Sequence, residues 1–208
     1  MAERITGHTE LIGLIATPIR HSMSPTMHNE AFAHLGLDYV YLAFEVGNQE
    51  LKDVVQGFRA MKLRGFNVSM PNKTEICQYL DKLSPAAQLV GAVNTVVNDD
   101  GVLTGHITDG TGWIRNCLEH GFDIHGKKLV IAGCGGAGTA IQIAAALGGA
   151  KDVVILARKS SVRYANGEAT VQKIREHVPE CRAEIFDLED VGAVRRALVG
   201  ADLFCNAT

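Results

Sequence analysis

Short apolar runs alternate with longer amphipathic segments along most of the chain. Residues 11–16 are apolar throughout and predict a buried strand, and residues 39–44 predict a second one. The segment 48–63 predicts a helix with one apolar face, formed by Leu51, Val54, Val55, Phe58 and Met61. This alternation of strand and helix continues through roughly the first 100 residues, which predicts an α/β domain with a mainly parallel sheet.

The stretch from Asn67 to Lys73 combines a strand with polar positions that suit a binding site. In an extended strand successive side chains alternate faces, so Val68 and Met70 should point into a core and Asn67 and Ser69 toward a polar cleft. The proline after Met70 should end the strand and start a helix over about 72–81. Lys73 would then lie in the first turn of that helix, where the helix dipole disfavours a cation. Lys73 is therefore either a solvated surface lysine or a group that serves a ligand.

A predicted strand at 128–132 leads directly into a glycine-rich turn and an alanine-rich helix. This context matches the G-x-G-x-x-G pattern of dinucleotide-binding domains, in which backbone N–H groups at the helix start hold a pyrophosphate. The alternative is a tight packing turn. Further strands are predicted at 153–156, 183–186 and 203–205, which indicates a Rossmann-like nucleotide-binding domain. The residues predicted to bind the cofactor here are Gly133, Gly135, Gly136, Ala137 and Gly138.

The residues after the second strand of this domain bear on the choice of cofactor. An NAD site usually has an acidic residue there for the ribose 2′-hydroxyl, whereas this chain has Arg158, Lys159 and Ser160. Basic side chains can bind a 2′-phosphate, so the loop predicts NADP, with NAD as the alternative. A basic surface loop without a ligand would have the same sequence.

Composition limits the other classes of partner. The 208 residues are 47% hydrophobic and carry a formal net charge of −3, which gives no reason to expect a nucleic-acid partner. No apolar run is long enough to predict a membrane span, and the first residues do not resemble a signal peptide. The five cysteines and eight histidines lack metal-ligand spacing. We therefore expect a cytoplasmic protein without a metal site, and the sequence is compatible with a homodimer.

Several separated stretches carry a family resemblance. They are residues 18–25, 67–73, 91–95, 108–110, the glycine-rich turn and 206–208. With these motifs in this order, the chain resembles the shikimate dehydrogenases, and within them the quinate/shikimate dehydrogenase branch. The resemblance implies reversible reduction of 3-dehydroshikimate to shikimate, or of 3-dehydroquinate to quinate, with a nicotinamide cofactor. The reaction would belong to the shikimate pathway of aromatic amino-acid biosynthesis.

The resemblance also implies roles for individual residues. Ser22 and Ser24 would hold the substrate carboxylate, and Ser69 replaces a threonine that is common in the family. Lys73 matches the catalytic lysine. Hydroxyl, amide, acid and ammonium groups suit a polyhydroxylated ring acid, and Lys73 could move the proton that accompanies hydride transfer. The residues that match binders of the ring hydroxyls are Asn94 and Asp109, of which Asp109 would also help to orient the lysine.

Alternatives remain for single residues and for the whole chain. Ser24 and Asp109 are each explained equally well as helix caps. Other readings are a different lysine-using two-domain dehydrogenase, such as one acting on methylene-tetrahydrofolate, and a non-catalytic ligand-sensing module. The family often has an asparagine where Ala157 stands, and its branch can have an acid near Ser160, so these departures leave cofactor choice open.

The predicted organisation has two domains. A substrate-binding catalytic domain over 1–109 is followed by a connecting helix over 110–126 and an incomplete NADP-binding domain over 127–208. Family members continue for further strands after this motif, and a doubly wound domain usually has six strands. We therefore expect the chain to be a fragment of a longer protein, with the strand at 203–205 as an exposed edge prone to self-association.

Overall fold

The computed structural model describes residues 5–208, which form two compact units with a boundary between His106 and Ile107. The first unit is a six-stranded sheet with helices. Its strands are β1 (Glu10–Ala16), β2 (Tyr39–Glu45), β3 (Gly65–Val68), β4 (Lys82–Leu83), β5 (Thr95–Asp99) and β6 (Val102–His106). Its helices are α1 (Ser24–Leu35), α2 (Leu51–Ala60), a 3-10 helix (Glu75–Tyr79) and α3 (Pro85–Val90).

The strands of the first unit lie in the order β2-β1-β3-β5-β6-β4. β1 pairs in parallel with β2 and with β3, as the alternating pattern predicts. β5 is antiparallel to β3 and forms a hairpin with β6, because Asp100 and Gly101 adopt positive φ and form the tight turn. The carboxyl ends of β1, β2 and β3 therefore share one edge of the sheet with the start of β5 and the end of β6.

The second unit contains a four-stranded parallel sheet in the order β10-β7-β8-β9. These strands are β7 (Lys128–Ala132), β8 (Asp152–Ala157), β9 (Arg182–Asp187) and β10 (Leu203–Asn206). The helices are α4 (Asp109–Glu119), α5 (Gly136–Leu147), α6 (Tyr164–His177) and α7 (Val191–Leu198). β8 is buried along its whole length, as expected for a central strand covered on both faces. Numbered by their order in this unit, the strands lie as 3-2-1-4, which matches the first four positions of the 3-2-1-4-5-6 order of a doubly wound fold.

Several local predictions for the first unit were wrong. β3 ends at Val68, so the alternation does not reach Met70, whose side chain is 75% exposed. Met61, assigned to the apolar face of α2, is 64% exposed because α2 ends at Ala60. The helix expected over 72–81 is a 3-10 helix from Glu75 to Tyr79. Lys73 lies in the turn before it, so the argument from an unfavourable helix dipole does not apply.

The predicted caps also differ from the structure. α1 begins at Ser24 itself, with Met23 as the N-cap and no side-chain capping bond. α4 begins at Asp109, with Thr108 in the cap position and again no side-chain capping bond. The N-cap positions of α1 and α4 are therefore each one residue earlier than the sequence suggests. By contrast, Ser84 caps α3 as its Ser-Pro sequence suggests, with its hydroxyl accepting the Ala87 N–H at 3.3 Å.

Helix α4, assigned from the sequence to a connector over 110–126, packs against α5 in the second unit. Gly110 permits this packing because a Cβ there would lie 2.2 Å from the carbonyl oxygen of Ala140. The unit boundary thus falls before α4, whereas the sequence-based domain limits are 109 and 127.

Candidate functional site

Backbone hydrogen bonds gather the motif residues of the first unit at one edge of its sheet. The Ser69 N–H donates to the Ile15 carbonyl at 2.9 Å, next to the end of β1. The Val93 N–H donates to the Lys73 carbonyl at 2.8 Å, which ties the turn that carries Lys73 to the segment before β5. Ligands of α/β sheets bind at the carboxyl ends of parallel strands, so this edge is the expected place for a site.

Asn94 lies at the same edge, immediately before β5. Its backbone carbonyl accepts the Val68 N–H at 2.8 Å, and its own N–H donates to the His106 carbonyl at 2.9 Å. The side chains of Ser69, Lys73 and Asn94 are all partly buried, as expected for groups that line a cleft. The structure therefore brings Lys73 and Asn94 together from different segments of the chain.

Ser22 and Ser24 lie between β1 and α1. The Ser22 hydroxyl oxygen accepts the Ser24 N–H at 3.2 Å, and the Ser22 N–H donates to the Ile19 carbonyl at 2.9 Å. These bonds form a compact turn after the carboxyl end of β1, with both serines partly buried. Paired hydroxyl groups in such a turn can donate hydrogen bonds to a carboxylate.

Asp109 is the first residue of α4 and belongs to the second unit. Its side chain is partly buried. A carboxylate oxygen accepts hydrogen bonds. Asp109 can therefore accept a hydrogen bond from a hydroxyl group.

The glycine-rich turn between β7 and α5 is tightly built. Gly133 has φ +105°, and a Cβ on it would lie 2.5 Å from the Ala207 carbonyl oxygen. A Cβ on Gly138 would lie 2.3 Å from the Gly133 carbonyl oxygen. Gly136 and Ala137 are exposed at the start of α5. Their backbone N–H groups belong to the first turn of the helix, where a phosphate binds favourably.

Gln142 was not predicted, although it supports this turn. Its side chain is fully buried, and its Nε2 donates to the Gly133 carbonyl at 2.8 Å. The bond fixes the first residue of the glycine-rich turn from within α5. A buried glutamine in an alanine-rich helix is a signal that the sequence does contain, since an amide there requires a partner.

A cavity of about 150 Å³ lies beside the glycine-rich turn in the second unit. Arg158 lines it, as do Ser161 and Arg163, whereas Lys159 and Ser160 are not among its lining residues. The Arg163 guanidinium is close to Gly135, with Nη1 3.3 Å from the position that a Cβ would take. Glycine, hydroxyl and guanidinium groups suit a nucleotide carrying phosphates, so the residues present fit a dinucleotide cofactor.

Two acidic residues, Asp187 at the end of β9 and Glu189 just after it, explain the arrangement of the basic loop at 158–163. The Asp187 carboxylate accepts the backbone N–H groups of Lys159 and Glu189, each at 3.1 Å, and these bonds lower its pKa. The Ser160 hydroxyl donates to the Glu189 carboxylate at 3.3 Å. Lys159 is thus held through its backbone and Ser160 through its side chain. The sequence-based assignment of Lys159 and Ser160 to the cofactor therefore stays a prediction, and Arg163 is the basic residue it left out.

A larger cavity, of about 610 Å³, lies elsewhere in the first unit and includes Arg59, Lys62 and Arg64 in its lining. None of the candidate site residues line this cavity, so the volume of a cavity does not identify the functional site. Within residues 5–208, no group of three or more metal-ligating side chains is placed to hold an ion. No helix among the same residues has the length and apolar character needed to cross a membrane.

Comparisons with known proteins agree with this geometry. The family model described as shikimate dehydrogenase substrate binding domain matches residues 14–96. A shikimate dehydrogenase (NADP(+)) of Listeria monocytogenes serotype 4b (strain F2365) is 69% identical over 208 residues, which cover 100% of this chain and 71% of the relative. The match therefore includes both units.

Solved structures give the same result. A shikimate 5-dehydrogenase from Listeria monocytogenes, crystallised with shikimate and NAD, is 69% identical with a TM-score of 0.96, covering 100% of this chain and 71% of that one. A shikimate dehydrogenase in complex with NADP+ is 38% identical with a TM-score of 0.83, covering 99% and 68%. An α/β unit with a polar strand edge, followed by a Rossmann-like nucleotide-binding unit, defines a two-domain dehydrogenase. The chain belongs to the shikimate dehydrogenase family.

Proposed function

We propose that this protein is an oxidoreductase that reversibly reduces 3-dehydroshikimate to shikimate with NADP(H). The observation that carries the proposal is the meeting of Ser69, Lys73 and Asn94 at one sheet edge of a chain that is 69% identical to a shikimate dehydrogenase. Hydroxyl, ammonium and amide groups match the oxygen-rich ring of this substrate.

The protein's own residues would bind the ring and move one proton. Ser22 and Ser24 donate hydrogen bonds to the ring carboxylate. Asn94 and Asp109 hold the ring hydroxyl groups, and these assignments rest on the resemblance of their motifs. Lys73 gives a proton to the carbonyl oxygen during reduction and takes it back during oxidation. The cofactor, when bound, supplies or accepts the hydride.

A turnover assay tests the proposal directly. Purified protein is incubated with shikimate, quinate or methylene-tetrahydrofolate and with NADP+ or NAD+, and formation of reduced nicotinamide is followed by absorbance. We expect the highest kcat/KM with shikimate and NADP+. Higher kcat/KM with quinate would reassign the substrate, and binding of shikimate without turnover would favour a ligand-sensing module. Turnover of methylene-tetrahydrofolate alone would reject the proposal.

The choice of cofactor leads to a prediction about Arg158. Arg158→Ala should weaken NADP+ binding by ~1.5–3 kcal/mol, the value of a charge-assisted hydrogen bond, and leave NAD+ binding nearly unchanged. Arg163→Ala should weaken both nucleotides, because its guanidinium lies beside Gly135 in the pyrophosphate turn. Dissociation constants for both nucleotides, measured by calorimetry, separate these effects.

Arg195→Ala is the control for this prediction, because Arg195 is an exposed arginine on α7. It should change the binding of neither nucleotide. Lys159→Ala is a separate test of the sequence-based assignment of Lys159 to the 2′-phosphate, and a selective loss of NADP+ binding would support that assignment. An equal loss of both nucleotides in Arg158→Ala would contradict a role in selecting NADP.

A cytoplasmic location and a homodimer complete the proposal. All five cysteines are free thiols, which suits a reducing compartment. Size-exclusion chromatography with light scattering tests the oligomeric state.

A further inference from the structure

A chain of side-chain hydrogen bonds leads from the interior of the first unit to Asn94. The Tyr41 hydroxyl donates to Asn67 Oδ1 at 2.7 Å, and Asn67 Nδ2 donates to Thr95 Oγ1 at 3.1 Å. The Thr95 hydroxyl then donates to Asn94 Oδ1 at 3.1 Å. Asn67 and Thr95 are directly opposite each other in the β3–β5 pair. Three strands therefore contribute to a chain that ends on a candidate substrate-binding residue.

One backbone group fixes the direction of the hydrogen bonds that the Asn67 amide makes. Asn67 Nδ2 also lies 3.3 Å from the Asn94 carbonyl oxygen, which can only accept a hydrogen bond. The nitrogen end of the Asn67 amide must therefore face β5, and its oxygen end must face Tyr41. Since Thr95 accepts from Asn67, its single hydroxyl hydrogen is available for Asn94 Oδ1.

Tyr41, the first residue of this chain of hydrogen bonds, is held rigidly by its surroundings. Its side chain is 1% exposed, and its ring stacks on His28 with a centroid distance of 4.4 Å. The Asn29 side chain accepts the Tyr41 N–H at 2.8 Å and donates to the Tyr41 carbonyl at 3.0 Å. Burial raises the pKa of the Tyr41 phenol to about 12, so it keeps the proton that it donates.

We propose that Tyr41, Asn67 and Thr95 are positioning residues that orient the side-chain amide of Asn94. With Oδ1 held by Thr95, the nitrogen of that amide is the end turned away from Thr95, as a hydrogen-bond donor for a hydroxyl oxygen of the substrate. A reversed amide would present an acceptor instead. This inference rests on the proposed function, because it assigns Asn94 a donor role toward a ring hydroxyl group.

The Thr95 hydroxyl provides the most direct test. Thr95→Val keeps the shape of the side chain but removes the hydroxyl, whereas Thr95→Ser keeps it. We expect Thr95→Val to raise the KM for shikimate about tenfold, the effect of one hydrogen bond, with the KM for NADP+ unchanged. Thr95→Ser should restore the KM to within about twofold. An unchanged shikimate KM in Thr95→Val would contradict the proposal.

A double-mutant cycle distinguishes positioning from a general structural role. If Thr95 acts through Asn94, then Thr95→Val should have no further effect on the shikimate KM in an Asn94→Ala background. Equal losses in both backgrounds, accompanied by a lower Tm, would indicate a structural role only and overturn the proposal. Tyr41→Phe should produce a smaller change in the same direction, because it acts at the far end of the chain.

A measurement without substrate separates this inference from the proposed function. The side-chain NH2 signals of Asn94 in a ¹⁵N–¹H spectrum are assigned by their loss in Asn94→Asp. They should shift or broaden in Thr95→Val and in Tyr41→Phe, but not in Thr95→Ser. If wild-type protein fails to turn over shikimate but the signals respond in this way, the proposed function fails and the positioning chain stands. If the Asn94 NH2 signals are unchanged in Thr95→Val, the proposed chain of hydrogen bonds is rejected, whichever substrate the protein uses.

Discussion

Lys73→Ala is expected to lower kcat by about 10²- to 10⁴-fold, the usual contribution of a positioned acid–base group, with a much smaller change in the shikimate KM. The fold should tolerate this change. The Lys73 carbonyl, which the substitution keeps, accepts the Val93 N–H at 2.8 Å and ties the turn to β5. Steady-state kinetics with shikimate and NADP+ measure both parameters, and thermal unfolding reports on the fold.

Lys52→Ala is a matched control, because Lys52 is an exposed lysine on α2 in the same unit. It should leave kcat, KM and Tm unchanged. A Lys73→Ala variant with wild-type kcat and a raised KM would make Lys73 a binding group and require another source for the proton. If Lys73→Ala had a much lower Tm, the loss of kcat would result from impaired folding.

The regular elements were predictable because their patterns are local. The apolar runs that form β7 and β8 lie where the hydrophobic positions indicate, and the glycines after α1 and α3 adopt positive φ. β4 was missed because it has two residues, Lys82 and Leu83, and exists only through its pairing with β6. A two-residue strand is too short to show an alternation of apolar and polar residues in the sequence.

The site was predictable in its residues more than in its arrangement. Ser69, Lys73 and Asn94 stand out by motif, and their hydrogen bonds bring them to one edge. The residues that hold these side chains in place are brought together by tertiary contacts, since the Tyr41 hydroxyl bonds to Asn67 from a different strand. No spacing rule links these positions, so the sequence assigns Asn67 to the cleft although its amide bonds to Tyr41 and Thr95.

The basic loop shows the same limit. Counting from the end of β8 selects Arg158, Lys159 and Ser160 with equal weight. The structure separates them because Asp187, the last residue of β9, accepts the Lys159 N–H, and Glu189, just after β9, accepts the Ser160 hydroxyl. Arg163 then approaches Gly135 from the start of α6. The arrangement of this loop therefore depends on acidic residues at the end of β9 and just after it.

The glycine-rich turn gives the second large effect. Gly138→Ala should destabilise the protein by ~1–3 kcal/mol, the cost of overpacking a tight contact. Its Cβ would lie 2.3 Å from the Gly133 carbonyl oxygen, and that oxygen cannot move freely because it accepts the Gln142 side chain at 2.8 Å. The Gly133 N–H is also bonded, to the Leu156 carbonyl at 2.8 Å. Either the turn or α5 must shift to accommodate the methyl group.

A shift of the turn should also weaken cofactor binding, by roughly 10- to 100-fold for each hydrogen bond to a phosphate that is lost. Gly57→Ala is the matched control, because Gly57 is a helical glycine in α2 with no heavy atom within 4 Å of the added Cβ. It should stabilise the protein by up to about 1 kcal/mol, since alanine favours a helix more than glycine does. Urea unfolding and calorimetric titration with NADP+ measure the two effects. If Gly138→Ala bound NADP+ like the wild type and unfolded at the same urea concentration, the close approach of α5 to the turn would not be needed to hold the cofactor.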